Sequence, residues 1–358
     1  VYCSRIDRRD CEILIDQSAY PPAFRKAAVF FTFYKLVGNR RPKAMPDLKF
    51  TLELGKSRLE RHSLNERLLE ANGNLQAISE ILNFNLISSD ANCLKDCIAT
   101  QGKAVPAPSE AAPVFSIITS VHVLHENLAA ALDSVRYQTY PNFEHIIVVD
   151  SNDSDLLEFL AMYSNEDPRV TVMPKGLNLG TYHSRNLALT YASGKYAMAH
   201  DSDDLLTLDA LHRYLAGFQE NDVVAIGGTA LRITDSNETL SPDHEGYVLR
   251  MGYPTFCFEV GLTHEIGFFD AVRHSADSEF ISRVTKFYPK KILWLSDCLL
   301  LQHDGDGNLT KTVSLGVAGY LTSSERRNYR RVYKEGHELL NQKTAAQLCS
   351  TLSSSILG

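Results

Sequence analysis

Apolar positions change their period once along this chain. Leu64, Leu68, Ala71, Leu75, Ile78 and Leu82 recur at spacings of 4, 3, 4, 3 and 4, which lays one apolar stripe along a helix. Gly73, between Asn72 and Asn74, interrupts the stripe, and glycine in a helix interior costs roughly 1 kcal/mol against alanine. The stripe reads as an ordinary amphipathic helix packed on its own domain, with a coiled-coil segment joining chains as the alternative. Residues 1–112 are therefore expected to be a mainly helical region that ends in a linker. Gln101–Pro113, with three prolines among small residues, supplies that linker.

From Pro113 onward short apolar runs alternate with helical patterns, as in a parallel sheet with crossover helices. Phe115–Thr119 reads as a first strand and Glu126–Tyr137 as a helix with Leu128, Ala131, Leu132 and Val135 on one face. His145–Val149 is a second strand ending in Asp150, and Val170–Met173 a third. A helix then runs to the turn Ser193-Gly194 and is followed by a buried strand at Tyr196–Ala199. Val223–Arg232 is another strand, and Asp235–Gly246 a polar excursion. Near the end, Ser324–Leu340 reads as a helix with Tyr329, Val332, Tyr333, Gly336 and Leu340 along one side. Arg326, Arg327, Arg330, Arg331 and Lys334 lie elsewhere on it. Such a helix docks on its own domain, or alternatively lies on an anionic membrane.

The chemistry gathers after Tyr196–Ala199, where Asp201, Asp203 and Asp204 follow at the carboxyl end of a buried strand. Three adjacent carboxylates repel one another and resist desolvation unless a cation or a hydrogen-bonding ligand answers them. Ligands of open α/β sheets gather at that end of the strands, and hard oxygen ligands favour magnesium or manganese. An acidic turn capping the helix that begins near Leu208 would account for the same residues. Asp150 could hold a ribose hydroxyl or a base edge, or cap a helix in the run DSNDSD. Arg185, in the first turns of a helix, could meet a pyrophosphate or be a surface arginine.

Composition changes little in this picture. Across 358 residues the formal charge is -7, which provides no general attraction to nucleic acid. Seven scattered cysteines suit reduced thiols in a cytosolic protein better than a disulfide framework; Cys93 and Cys97 are read as buried thiols. No signal peptide or membrane-spanning run is visible. Val1 in place of Met leaves room for a longer parent protein.

Taken in order, PVFSIITSV, LDSVRYQTYPNFEHIIVVD, NLGTYHSRNLALTYASGKYAMAHDSDD, IGFFD and ADSEFISR resemble the inverting family 2 glycosyltransferases with a GT-A fold. The resemblance implies an α/β, Rossmann-like domain over 113–310, between the helical region 1–112 and a helical tail 311–358. It implies a metal-dependent transfer from a nucleotide sugar, expected to be a UDP-sugar, to a glycan, lipid-linked or protein acceptor, as in polysaccharide biosynthesis. Asp203 would then hold Mn2+ or Mg2+, with Asp201 nearer the sugar or ribose in the DXD motif. Thr119, Ser120 and His122 would enclose the nucleotide, Asp150 its base, and Arg185 the diphosphate. Asp277 would be the catalytic base, Glu279 the reserve candidate, and His303 a metal or diphosphate ligand. Asp304 and Asp306 are lesser candidates.

The chain departs from the family pattern at Ser151, at Ser120 to Val123, and at Ala276. A nucleotidyltransferase is the alternative enzyme, and a catalytically silent GT-A domain serving as a scaffold is the alternative of another class. The expected location is cytoplasmic, with peripheral contact at the inner face of a membrane left open, as is an oligomer formed through the N-terminal helices.

Overall fold

The structure, a computed structural model, describes residues 48–82, 105–107, 112–234, 239, 242–243, 246–272, 275–304 and 324–339. The chain divides into two compact units, 1–53 and 54–358; of the first, only the start of one helix is described, and everything below concerns the second. Cys3, Cys11, Cys93, Cys97, Cys349, His244, Asp306 and the loop around Gly38 lie outside the described residues.

Helix α1 spans Leu48–Glu70 and α2 spans Leu75–Leu82. The expected single helix is broken at Gly73, whose φ of +75° suits glycine, and the Asn74 side chain accepts a hydrogen bond from the Ala77 amide to start the second. The stripe nevertheless stays on one side. Leu68, Ala71, Ile78 and Leu82 pack with Leu205, Leu231, Ile233, Val248, Leu249, Cys298 and Leu301. Asn65 imitates a strand edge, donating to the Gly246 carbonyl at 2.8 Å and accepting from the Val248 amide at 2.7 Å. Arg61 donates to the Leu249 carbonyl at 2.9 Å. The expected boundary at 112 is thus not where packing divides the chain, and the stripe is buried in this chain's own core.

The strands are β1 (Phe115–Val121), β2 (Phe143–Val149), β3 (Val170–Pro174), β4 (Tyr196–Asp201), β5 (Leu205–Leu206), β6 (Ala225–Ile233), β7 (Leu249–Met251), β8 (Cys257–Glu259) and β9 (Ile292–His303). Between them lie α3 (Leu128–Arg136), α4 (Ser154–Glu166), α5 (Thr181–Tyr191), α6 (Ala210–Glu220), the short α7 (Leu262–Glu265) and α8 (Ala276–Phe287), and α9 (Ser324–Leu339) follows. They form one sheet in the order β3-β2-β1-β4-β8-β6-β9-β5, with β7 on β6. The first four strands are parallel. Beyond β4 the sheet is mixed, with β8 antiparallel to both neighbours and β6 parallel to β9.

Alternation along β1 sorts the two faces. Phe115, Ile117 and Val121 meet α3, α4 and α6, whereas Ile118, with Ala197 and Ala199 of β4, meets α5 and α8. Glu144 fastens the amino ends, its Oε1 accepting from Ser116 Oγ at 2.6 Å and from the Ser193 and Gly194 amides at 2.6 and 3.1 Å. A Cβ on Gly194 would lie 2.7 Å from the Phe115 and Ser116 backbone, so the turn before β4 needs glycine to approach β1.

The thiols of Cys257 and Cys298 are buried and unpaired with each other; burial pushes the Cys257 thiol well up and the Cys298 thiol to about 12. No helix among the described residues is long and apolar enough to cross a membrane.

Because Leu68 is fully buried against the sheet, Leu68→Ala should cost about 2–5 kcal/mol in urea unfolding of the whole chain. A separate helical domain would instead give a second transition, with the main one unmoved.

Candidate functional site

The chain leaves β1 into α3 on one face and enters β4 from α5 on the other, so the carboxyl ends of β1 and β4 flank a topological switch point. Ser120 and Asp201 are in register there. Asp201 is half exposed and accepts from Arg185 Nη2 at 2.6 Å. Asp204, two residues past Ser202, turns inward instead and is buried. It accepts from the His303 amide at 3.1 Å and from Gln302 Nε2 at 3.3 Å, which ties the end of β9 to the acidic turn. Burial first, then Asp203 and Asp201, push the Asp204 carboxyl well up. Burial and then Asp201 raise Asp203 to about 6, with His303 and Arg232 acting in the opposite direction.

Arg185, expected to meet the diphosphate, lies on the buried side of α5 with its guanidinium engaged by Asp201. It sits 5.3 Å from the Tyr182 ring and 5.1 Å from that of Tyr253, and its Nε has no hydrogen-bond partner. Burial alone would favour loss of its proton, but Asp201, Tyr253, Tyr182 and Asp277 hold it charged. Asp277 is thereby brought into the same electrostatic neighbourhood as Asp201. It sits in the first turn of α8, accepting from the Ser278 amide at 2.6 Å, while Ser275, with φ of 68°, occupies the cap position. Ser275 makes no side-chain cap hydrogen bond, and the amide that Asp277 accepts from belongs to the first turn of its own helix.

Glu279 is excluded as the reserve base. It is buried, takes two hydrogen bonds from Arg283 at 2.8 and 2.5 Å, and lies 2.6 Å from His337 Nε2. Burial opposes its charge, but His337 and Arg283 outweigh that and hold the carboxyl below its usual value. Arg283 also donates to the Ile266 and Phe268 carbonyls, so this network fixes how α8 is seated. Tyr253 and Phe256 belong to the core, and Tyr247 packs under Arg61 at 4.1 Å.

Among the expected nucleotide residues, Thr119 lies inside the fold. It is fully buried, with its hydroxyl 2.9 Å from His145 Nε2 and 3.3 Å from His200 Nδ1. Burial keeps both imidazoles neutral, lowering His145 well below its usual value and His200 to about 4. Ser120 faces the other way, towards the site, and His122 is exposed on the loop after β1. Asp150 is buried and holds the loop before α5, accepting from the Leu179 and Gly180 amides at 2.9 Å each and pairing with Lys175 at 2.6 Å.

Residues that sequence reasoning missed complete the rim. His125 Nε2 lies 3.2 Å from Ser202 Oγ, and Asn127 Nδ2 lies 3.1 Å from His303 Nδ1. The loop after β1 thus clasps both the acidic turn and the end of β9. Burial, then His122 and His303, lower the His125 imidazole. A histidine three residues past His122 was the available signal, but nothing local revealed its partner. Asp304 donates its amide to the Ile233 carbonyl and continues the β9 edge.

Among the described residues, no three His, Cys, Asp or Glu side chains are gathered into a complete metal-ligand set. The acidic turn nevertheless suits a hard divalent cation: crowding raises Asp203, and a cation would relieve it. One or two carboxylates suffice for a metal whose other ligands are water and phosphate oxygens.

The family described as Glycosyl transferase family 2 matches residues 116–281. An uncharacterized glycosyltransferase of Haemophilus influenzae is 28% identical over 129 residues, covering 36% of this chain and 40% of the relative. UDP-Glc:alpha-D-GlcNAc-diphosphoundecaprenol beta-1,3-glucosyltransferase WfgD of Escherichia coli is 31% identical over 110 residues, covering 31% of this chain and 43% of the relative. The chain thus spans less than half the length of these relatives. Among solved structures, S. aureus TarS 1-349 in complex with UDP-GlcNAc shares the fold, with a TM-score of 0.50 and 18% identity over 64% of this chain and 69% of that one.

A raised carboxyl pKa favours the native state at low pH, and that contribution is lost as pH rises through the folded value, here about 6 for Asp203. The neutral buried histidines act oppositely, weakening the native state as pH falls below about 6.5. Comparing Asp203→Asn with the parent cancels the histidine contribution. In chelator the variant should be the more stable by about 1–3 kcal/mol at neutral pH, with the gap closing towards pH 4. Manganese should remove the gap by stabilising the parent alone. A pH-independent difference would mean that Asp203 is not under this strain.

Proposed function

We propose, from the match of residues 116–281 to Glycosyl transferase family 2 and the fold shared with TarS, that the chain transfers a sugar from a UDP-sugar to a hydroxyl of a glycan, lipid-linked or protein acceptor, inverting the anomeric centre. The observation that carries this reading is the meeting of Asp201 and Asp277 around one buried guanidinium, Arg185, at the switch point of the sheet. The name of the Escherichia coli relative includes a UDP-sugar donor and a lipid diphosphate-linked acceptor, and the TarS structure contains UDP-GlcNAc. Both support the donor class.

In this reading the acceptor oxygen attacks the anomeric carbon while the bond from that carbon to the diphosphate oxygen breaks. The electron pair leaves with the diphosphate, and the acceptor proton passes to Asp277. A carboxylate suits the task because proton removal in the transition state is worth about 10²–10⁴-fold. Asp277 has its second oxygen available, whereas Glu279 accepts from Arg283 and His337. Ser120 and His122 contact the nucleotide, and Asp150 shapes its pocket by holding Leu179 and Gly180 in place. Asp203 and His303 would hold a divalent cation, which supplies charge neutralisation at the leaving diphosphate. Asp201, oriented by Arg185, faces the sugar or ribose.

The test is release of nucleoside diphosphate from a panel of nucleotide sugars, with manganese or chelator, beside thermal stabilisation by UDP. Metal-dependent release from one donor is expected. Asp277→Asn should lower kcat by about 10²–10⁴-fold with UDP binding retained, and Asp203→Ala should lose the metal-dependent part of that binding. Glu279→Gln should lower the melting temperature while kcat of the remaining folded enzyme falls less than in Asp277→Asn. Neither release nor nucleotide binding under any of these conditions would favour the silent-scaffold alternative.

A further inference from the structure

The outward face of α9 carries charge that the proposed reaction does not use. Arg327, Arg330, Arg331 and Lys334 are all exposed and fall at i, i+3, i+4 and i+7, which makes one stripe on the helix. They do so on a chain whose formal charge is -7. Glu335 lies 3.6 Å from Arg331 and Glu338 is exposed one turn beyond Lys334, so the stripe remains net positive.

The inward face sets where this stripe points. Tyr329 donates to Asp270 at 2.5 Å, and His337 meets Glu279 at 2.6 Å. Tyr333 is buried between them, its ring 5.3 Å from those of Tyr329 and of His337. These contacts seat α9 on the chain before α8 and, through His337 with Glu279 and Ser282, on α8 itself. The stripe therefore turns away from the core. The basic face is convex, which suits a flat anionic surface better than a ligand needing a cleft. Val332, 57% exposed, gives the flank an apolar side chain able to enter a headgroup layer.

We infer that the outward face of α9 is a docking surface for an anionic lipid bilayer, holding α8, the helix that carries Asp277, towards the membrane. Docking on the domain and binding a membrane, alternatives for this helix in the sequence, are then served by its opposite faces. The role of Asp277 rests on the sugar-transfer reading; the surface itself does not.

The test uses the full chain and sedimentation with vesicles of phosphatidylcholine alone or enriched in phosphatidylglycerol. Binding should require phosphatidylglycerol and weaken strongly between about 0.1 M and about 0.5 M salt. Each cation near such a surface contributes about fivefold to partitioning, so the variant Arg327→Gln/Arg331→Gln/Lys334→Gln should bind at least about tenfold more weakly. Its melting temperature and UDP stabilisation should be unchanged, and Arg327→Lys/Arg331→Lys should bind like the parent. Equal binding to neutral vesicles, or unchanged binding by the glutamine variant, overturns the proposal. So does tight binding to soluble polyphosphate with none to vesicles, which would assign the stripe to a soluble polyanion. Vesicle binding without any nucleotide binding would leave the surface standing and remove the sugar-transfer reading.

Discussion

Three carboxylates at the end of one strand set the terms for the rest of the site. Burial, and then the acids beside them, make Asp203 and Asp204 harder to ionise, and the fold answers each of the three acids differently. Asp201 receives a guanidinium. Asp204 receives an amide and a side-chain amide from the end of β9. Asp203 has its own amide, with His303 and Arg232 acting in the same direction, and its carboxyl still stands at about 6. The first two answers are also the joints of the molecule, because one carries α5 and the other carries β9 to the acidic turn. The third leaves a carboxyl that burial and Asp201 keep raised.

Two buried polar systems hold the surroundings of that turn. Beneath it, Thr119 bridges two imidazoles that burial keeps neutral. On the acceptor side, Glu279, Arg283 and His337 lock α8 against the chain before it and against α9. Buried ion pairs return little net stability after desolvation, but removing one partner strands the other. Their consequence here is geometric: the helix that carries Asp277 has one seat. The clasp of His125 on Ser202 and Asn127 on His303 does the same for the nucleotide side.

The parallel half of the sheet was legible because its strands obey a local period and end at turn residues such as Ser193-Gly194. The acidic turn was legible for the same reason, since a buried run and its three following acids are contiguous. What escaped depends on partners distant in sequence. The stripe of α1 and α2 looked like a separate domain because Leu205, Val248 and Leu301, which cover it, lie far along the chain. Strand β8, three residues long, has too little length to display a period. Thr119 and Ser120 are adjacent and looked equivalent, yet strand alternation sends one into the core and the other to the site. For Arg185 the helix position was visible in the sequence, and its pairing with Asp201 was not.

Asp277 and Glu279 carry the last step, because they are nearly identical in chemistry and only two residues apart. On a helix two residues differ by about 200°, so α8 must turn one acid in when it turns the other out. Glu279, facing in, is held by a buried arginine and a histidine and has no freedom to take a proton from a substrate. Asp277, facing the neighbourhood of Arg185, has no cationic side chain within ion-pair distance among the described residues, and its recorded bond is to the next amide. In the proposed reaction a base needs a lone pair that the fold does not use, and the helix period turns Asp277, not Glu279, out of the buried network. The network that looks like a candidate catalytic cluster is thus the anchor, and its tightness is what leaves the quieter acid in position.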